Sequence, residues 1–237
     1  MLSREQIKQV ESSSVTEAIR LVTEWFPHGV VFSSSLGQED QVLTDIIFKN
    51  DLPVRIFTID TGRLFNETYE LLDRTTARYK KPMQVYFPDA ADVEDFVVTK
   101  GINSFYESVE NRKECCHIRK VKPLSRALKG AMVWITGLRA EQSANRNDMP
   151  MIEWSEDKQL YKFNPLINWT YSEMIDYIKK YNVPYNHLHD KGFVSIGCAP
   201  CTRAIEPGED ARAGRWWWEI SQKECGLHIP ANKVEYK

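Results

Sequence analysis

The sequence lacks several features that would assign it to a familiar class of protein. No stretch approaches the ~20 consecutive apolar residues that span a bilayer. The first residues lack the basic-then-apolar pattern of a secretory signal peptide. Charges nearly balance, with 31 Lys and Arg against 33 Asp and Glu and a net charge of -2. These absences argue against a membrane protein, a secreted protein and a general nucleic-acid binder, and we expect the protein to work in the reducing cytoplasm.

Cysteine is scarce as well, but the five cysteines are unevenly placed. Four of them form two compact pairs, Cys115 with Cys116 and Cys198 with Cys201. In a reducing compartment, grouped cysteines bind metal or catalyse more often than they form disulfides. The pairs therefore predict a metal site, and the adjacent pair favours iron–sulfur, because structural zinc sites usually separate paired cysteines by roughly two to four residues. The alternative is that Cys115 or Cys116 is a small core residue.

The fifth cysteine, Cys225, has the setting of a reactive thiol. Thiolates are the nucleophilic form of cysteine, and neighbouring cations favour that form. Lys223 and, when protonated, His228 lie within three residues of Cys225 in the sequence. We predict that Cys225 is a nucleophile, although a lone cysteine is more often inert.

Short apolar runs alternate with segments of helical spacing, and this alternation predicts an α/β fold with a doubly wound, mainly parallel sheet. The predicted strands are residues 29–32, 54–59, 83–87 and 131–136, and the predicted helices are residues 4–26, 39–48, 64–79 and the stretches that begin at residues 92 and 123. A hairpin over residues 151–163 and a helix from Thr170 to Tyr181 follow. We place the α/β domain at residues 1–201 and a mobile C-terminal tail, which carries Cys225, at residues 202–237, because Gly and Pro punctuate the chain after Gly197.

Three turns follow predicted strands: Ser33–Gly37, Asp60–Gly62 and Gly137–Arg139. Ligands of parallel sheets bind beyond the carboxyl ends of the strands, so we expect these turns to converge on one pocket. The Ser33–Gly37 turn is similar to a phosphate cradle at a helix N-terminus, although it matches neither the Walker nor the dinucleotide pattern; simple helix capping is the alternative. Nine Lys and Arg against two acidic residues between Arg112 and Arg146 indicate an anion site or a solvated face.

Seven stretches together carry a resemblance to a known family. They are residues 34–40, 60–64, 115–120, 137–146, 197–201, 208–219 and 223–228. The chain resembles assimilatory adenylyl-sulfate (adenosine 5′-phosphosulfate, APS) reductases of the thioredoxin-dependent bacterial type, which belong to the wider APS and PAPS reductase family. The resemblance implies an adenine nucleotide α-hydrolase-like sheet, in agreement with the alternation of strands and helices.

The resemblance also implies a cofactor and a chemical mechanism. A 4Fe-4S cluster would be held by Cys115, Cys116, Cys198 and Cys201. Cys225 would attack the sulfate sulfur of APS, AMP would leave, and an S-sulfocysteine would remain. A separate thioredoxin or glutaredoxin would then release sulfite, because no thioredoxin-like domain follows Lys237. Such an oxidoreductase serves sulfate assimilation and cysteine biosynthesis.

A set of polar and cationic residues would bind the substrate in this interpretation. Cations stabilise the charge that develops on a leaving phosphate, which gives the basic run a purpose, and the serine turn would hold the phosphosulfate or its α-phosphate. The implied substrate-binding residues are Ser34, Ser35, Gly37, Lys120, Arg139, Arg146, Arg212, Arg215 and His228. We also expect the chain to form a homo-oligomer.

Three alternatives stay open. Cluster cysteines favour APS over its 3′-phosphorylated form PAPS, whose reductases typically lack them, but an enzyme that accepts both is possible. A nucleotide pyrophosphatase or adenylating enzyme with a structural metal site is a second alternative, and the serine turn lacks the Ser-Gly-Gly-x-Asp-Ser pattern of such enzymes. A third is a non-enzymatic zinc module that binds RNA or protein, against which the acidic isoelectric point and the odd Cys225 argue.

Overall fold

The computed structural model describes residues 1–142, 146 and 148–219. The strands within this part are β1 (Val30–Ser33), β2 (Arg55–Ile59), β3 (Gln84–Tyr86), β4 (Val133–Ile135), β5 (Ile152–Ser155) and β6 (Leu160–Phe163). The α-helices are α1 (Arg4–Ser12), α2 (Val15–Trp25), α3 (Gln38–Lys49), α4 (Asn66–Tyr79), α5 (Ala90–Lys100), α6 (Val109–Cys116), α7 (Lys122–Leu128) and α8 (Tyr171–Tyr181). No helix of this part combines the length and the apolar character needed to cross a membrane.

The strands form one sheet in the order β3-β2-β1-β4-β6-β5. β1 pairs in parallel with β2 and β4, β4 pairs in parallel with β6, and β5 is antiparallel to β6. Phe32 of β1 lies opposite Ile56 on one side and Ile135 on the other. The predicted α/β class with a mainly parallel sheet is confirmed. The strand order reverses between β1 and β4, which is the switch point where such sheets bind their ligands.

The chain divides into two compact units. The first comprises Met1–Thr58, Thr68–Gln84 and Gly130–Asn186. The second comprises Ile59–Glu67, Val85–Lys129 and the described residues from His187 onward. The predicted boundary at residue 201 stays a prediction.

The first unit is built on the apolar residues of β1, β4 and β6. Phe32, Ile135 and Phe163 are completely buried, as expected for strands covered on both faces. Helix α8 begins with the predicted cap, because Thr170 accepts from the N–H of Glu173 while the Glu173 side chain accepts from Thr170 in return.

One prediction for this unit needs correction. The single helix predicted over residues 4–26 is two helices, α1 and α2. Ser13 between them is extended, and the hydroxyl of Ser14 caps α2 by accepting from Glu17 N. Serine side chains compete for backbone hydrogen bonds and thereby favour helix ends over interiors. The predicted hairpin over residues 151–163 is confirmed, and β6 also pairs with β4, so the hairpin extends the main sheet.

The second unit has a smaller core around the cysteines. Phe96, Phe105 and Trp216 are buried together with Cys115 and Cys198 in one cluster. Pro123 lies in the first turn of α7, as predicted, where its missing N–H costs nothing. Between α6 and α7 the chain makes a π-helical turn over His117–Val121, a feature frequently found at functional sites.

Candidate active site

The turn that follows β1 in the first unit folds back on itself. Ser34 donates its N–H to the carbonyl of Phe57 at 2.7 Å, and its hydroxyl accepts from the N–H of Leu36 at 3.1 Å. Leu36 adopts a left-handed backbone with φ of 62°. Ser34 and Leu36 are buried and Ser35 is exposed, while Gly37 caps α3 without a side-chain hydrogen bond. The turn therefore presents Ser35 and the N-terminal end of α3 outward.

Asp40, in the first turn of α3, holds Ser35 in place. Its Oδ2 accepts from the N–H of Ser35 at 2.5 Å and from the Ser35 hydroxyl at 2.6 Å. Burial raises the pKa of Asp40 to about 7, although both hydrogen bonds from Ser35 act to lower it. The predicted phosphate-binding hydroxyl of Ser35 is thus already bonded to a carboxyl group that titrates near neutrality.

Gly137, directly beyond β4, approaches the same carboxyl group. A Cβ added at this position would collide with the Asp40 carboxylate and lie 3.3 Å from the backbone nitrogen of Asp40. Only glycine permits this close approach of the two turns at the switch point. Gly137 was predicted from sequence as part of a strand-end turn, whereas the role of Asp40 was missed, although Asp40 lies in the stretch that carried the resemblance.

The predicted cation Arg139 is buried and paired with two carboxylates. Its Nε lies 2.9 Å from Glu39 Oε1, and its Nη1 lies 2.9 Å from Glu141 Oε2. Gln142 Oε1 accepts from the N–H of Arg139 at 3.1 Å and from Nη1 of Arg146 at 2.5 Å. Arg139 and Arg146 are therefore brought together through Gln142, a residue that sequence reasoning did not assign.

The raised pKa of Asp40 generates the first testable prediction. A carboxyl group whose pKa rises from 3.8 to about 7 on folding stabilises the fold at low pH. This stabilisation is lost as the pH rises toward 7, because the unfolded state releases the proton above about pH 4 while the folded state still binds it. Asp40→Asn stays neutral and keeps an acceptor for Ser35. We expect its stability relative to wild type to rise between about pH 4 and pH 7, by at most about 1.4 kcal/mol per pH unit, and to level off above that range.

Urea unfolding of both proteins at a series of fixed pH values measures this difference directly. Asp148→Asn, at an exposed carboxyl group of the same unit, is the matched control. A stability difference between Asp40→Asn and wild type that does not change with pH would contradict the assignment.

The second unit brings the two cysteine pairs together. Cys115 and Cys116 end α6, and Cys198 and Cys201 flank a short 3₁₀ turn in which Cys201 donates its N–H to the carbonyl of Cys198 at 2.9 Å. None of these four cysteines is joined in a disulfide bond. They line one cavity, the thiol cavity, together with Arg63, Phe105, Arg112, Arg119, Lys120 and Pro200.

The donor set of the thiol cavity is of the kind that ligates an iron–sulfur cluster. Among the residues that the structure describes, no three Cys, His, Asp or Glu side chains group closely enough to hold one metal ion. Four thiols that line a common cavity instead match the Cys₄ ligation of a cluster, which spreads its ligands over several iron atoms. The role of the four cysteines as ligands stays a prediction.

The thiols of the cavity differ in the direction in which their pKa is shifted. Burial acts to raise the pKa of Cys198, but the charge of Lys120 and the hydroxyl of Thr61, 3.2 Å from the sulfur, lower it below the usual value. Burial raises the pKa of Cys201 to about 12 and also raises the pKa of Cys115. Because thiolates are the ligating form of cysteine, the nearby cations favour that form at Cys198.

Arg119 and Arg215 support the thiol cavity from two sides. Arg119 Nη1 donates to the carbonyl of Thr61 at 2.8 Å. Arg215 is buried, and a Cβ at Gly197 would lie 2.7 Å from its Cζ, so Gly197 leaves room for the guanidinium. Nε of Arg215 has no hydrogen-bond partner among the described residues. The charges of Lys120 and Arg215 both act on Cys198, which places these two predicted substrate residues beside the thiols.

Part of the predicted tail is described. Thr202 forms a bridge with Arg215, and Arg203 donates its N–H to the carbonyl of Gly214 at 2.9 Å. Arg212 lies in this segment, where its N–H donates to Asp210 Oδ1 at 2.8 Å. The predicted nucleophile Cys225 and the predicted substrate residue His228 lie outside the described residues.

Two features of the structure can now be compared with known proteins. The first is a mainly parallel α/β sheet with a serine turn at its switch point, and the second is a cavity of four thiols lined by cations. Comparison with known proteins then gives the family. Residues 29–204 match the phosphoadenosine phosphosulfate reductase domain. The chain belongs to this family, and the resemblance stated from its sequence is confirmed.

Relatives and solved structures agree with this membership. The chain is 52% identical over 200 residues to the adenosine 5′-phosphosulfate reductase of Allochromatium vinosum, covering 84% of this chain and 78% of that protein. It is 51% identical over 201 residues to the protein of the same name from Rhizobium meliloti, covering 84% and 76%. The crystal structure of phosphoadenylyl-sulfate (PAPS) reductase from Candida auris is 31% identical, with a TM-score of 0.73 over 86% of this chain and 98% of that chain.

A more distant likeness concerns the fold alone. FMN adenylyltransferase from Candida glabrata is 16% identical, with a TM-score of 0.54 over 91% of this chain and 72% of that chain. This likeness agrees with the adenine nucleotide α-hydrolase-like sheet that the sequence predicted.

Proposed function

We propose that the protein is an oxidoreductase that reduces APS to sulfite and AMP with electrons from thioredoxin or glutaredoxin. The observation that carries the proposal is the thiol cavity, in which Cys115, Cys116, Cys198 and Cys201 meet beside Lys120. The names of the relatives at about half identity supply the substrate. The reaction would take place in the cytoplasm as a step of sulfate assimilation, and the protein would act as a homo-oligomer.

In this proposal Cys225 is the nucleophile. Its thiolate attacks the sulfur of the sulfate group, a new S–S bond forms, the bond from sulfur to the phosphate oxygen breaks, and AMP leaves. A thiolate of the reductant then attacks the S-sulfocysteine sulfur and releases sulfite, and its second thiolate frees Cys225 as the reductant becomes a disulfide. The two electrons therefore come from the dithiol of the reductant.

The chain's own residues bind the substrate and stabilise the developing charge. Ser34, Ser35 and Gly37 would donate to the phosphate oxygens at the N-terminal end of α3. Cationic side chains would stabilise the negative charge on the leaving phosphate, which is where electrostatic catalysis acts most strongly. The proposed cations are Lys120, Arg139, Arg146, Arg212 and Arg215, with His228 close to the sulfate or to Cys225.

The four cysteines of the thiol cavity would hold a 4Fe-4S cluster. When bound, the cluster supplies a fixed charge beside Lys120, which in turn faces the substrate. Its ligands must be deprotonated, and Lys120, Arg119 and Arg215 lower the cost of that deprotonation at Cys198.

An enzyme that accepts both APS and PAPS is the second candidate. One observation favours it, because the similar solved structure from Candida auris carries the name of a PAPS reductase. The four cysteines favour APS as the preferred substrate. Both nucleotides are therefore tested side by side.

The nucleophile is tested by incubating anaerobically purified protein with APS, and separately with PAPS, in the absence of any reductant. We expect the intact mass to increase by one SO₃ group with APS, and peptide mapping to place the group on Cys225. A mass increase with PAPS as well would favour dual specificity. Cys225→Ser, which keeps all four cavity cysteines, should take up no SO₃ group. Unmodified Cys225 in protein with a full cluster content would refute the S-sulfocysteine mechanism.

The cofactor is tested by metal and sulfide analysis. We expect anaerobically purified wild type to contain iron and acid-labile sulfide in equal amounts, and Cys198→Ser to lose most of both, because one of four ligands is removed. Cys225→Ser is the matched control and should keep the wild-type content. Zinc in place of iron, or an unchanged cluster in Cys198→Ser, would contradict the proposed ligand set.

A further inference from the structure

A buried ion pair ties the end of the described chain to the helix that carries two of the cavity cysteines. Nε of Arg112 lies 2.8 Å from Glu219 Oε1, and Nη2 of Arg112 lies 2.8 Å from Glu219 Oε2. The two side chains are only 7% and 4% exposed. Such a two-point contact fixes the orientation as well as the distance between its partners.

Trp216 completes the contact between the two segments. Its ring is completely buried, with the Cζ atoms of Arg112 and Arg215 lying 4.5 and 4.8 Å from the ring centroid. The backbone N–H of Trp216 donates to the carbonyl of Cys201 at 3.2 Å, and the backbone N–H of Glu219 donates to the carbonyl of Trp216 at 2.9 Å. Trp216 has a φ of 42°, an unfavourable conformation for a bulky residue that persists only where surrounding contacts impose it.

Arg112 belongs to the thiol cavity as well as to the ion pair. It lines the cavity and precedes Cys115 by three residues on α6, a spacing that puts both side chains on the same helix face. One guanidinium therefore contacts Glu219 and borders the cysteine ligands. Glu219 in turn precedes Cys225 by 225 − 219 = 6 residues.

Stability alone is a poor reason for this arrangement. Taking two charges out of water costs about as much as their attraction returns, so buried ion pairs are retained more for specificity than for stability. A second two-point pair in the same unit, Arg203 with Glu209 at 2.8 Å for each contact, leaves its side chains 37% and 33% exposed. Neither residue of this more exposed pair is among those that line the thiol cavity, so the pair is a natural control.

We propose that Arg112 and Glu219 are positioning residues for the reaction of Cys225. Their ion pair, against which Trp216 packs, holds Glu219 at the wall of the thiol cavity. Glu219 is the residue from which the chain continues toward Cys225. We expect the rate at which Cys225 reacts to depend on this anchor at Glu219. This inference rests on the proposed function, because it presupposes that Cys225 reacts.

The test compares Glu219→Gln with wild type and with the control Glu209→Gln, each purified anaerobically as the full chain. Three quantities are measured: iron and sulfide content, hydrogen exchange of the amides of Trp216 and Glu219, and the single-turnover rate of Cys225 sulfonation at saturating APS. The affinity for APS is measured separately in the Cys225→Ser background, where no turnover occurs.

We expect Glu219→Gln to sulfonate Cys225 about tenfold more slowly or worse, since a misplaced reacting group is costly even when its chemistry is intact. Its cluster content and its affinity for APS should stay within about twofold of wild type, while the two amides exchange faster. Glu209→Gln should match wild type in every measurement. Arg112→Lys, which keeps the charge but loses the two-point contact, should show the same pattern to a smaller degree.

Three results would overturn the proposal. The first is a wild-type sulfonation rate in Glu219→Gln despite faster amide exchange, which would make the pair a local anchor with no influence on Cys225. The second is loss of the cluster in both Glu219→Gln and Arg112→Lys, which would make the pair a structural support of the thiol cavity. The third is a wild-type Cys225 that takes up no SO₃ group; the proposed function then fails first, and the positioning role fails with it.

Discussion

The second unit brings four thiols and several cations together along one cavity, and its other contacts depend on this arrangement. Buried charges are costly unless charges of opposite sign or hydrogen bonds compensate them. The cations of the cavity accordingly lower the pKa of the Cys198 thiol, and its thiolate form would in turn compensate their charge. Each cation must also be oriented, and this is achieved by Thr61 for Arg119 and by Glu219 for Arg112. The segments that carry Thr61 and Glu219 are therefore held in place by the cations that line the thiol cavity.

In the first unit, hydrogen bonds instead of opposite charges compensate a buried carboxyl group. Within the described residues no Lys or Arg forms an ion pair with Asp40, so its burial is compensated by the N–H and hydroxyl of Ser35, and its pKa rises. The carboxyl group then behaves as a spacer between the turns after β1 and β4, and Gly137 is needed because no side chain fits beside it. A protonated Asp40 leaves the serine turn less negative, and this favours an anionic ligand at the helix N-terminus.

The sequence predicted the features that depend on local pattern. Strands such as Val30–Ser33 are short apolar runs between turns and can be predicted from that pattern. The cysteine pairs can likewise be identified from their spacing. It could not predict contacts between distant residues, because no local pattern marks Arg112 as the partner of Glu219, which lies 107 positions away. The break at Ser13 was missed for a different reason: apolar spacing continues across it, and only the capping by Ser14 decides that the helix ends. The alternation of strands and helices likewise said nothing of the pairing of β6 with β4.

The predicted substrate cations fall into two groups by their surroundings, and this difference bears on how they act. Arg139 is paired with Glu39 and Glu141, so two carboxylates already compensate its charge. Arg215 is buried with no carboxylate paired to it among the described residues, and its Nε has no hydrogen-bond partner. A buried cation in this state is tolerated only where an anion offsets it. Arg215 and Cys198 act on each other in this way, because the charge of Arg215 contributes to the lowered pKa of the Cys198 thiol.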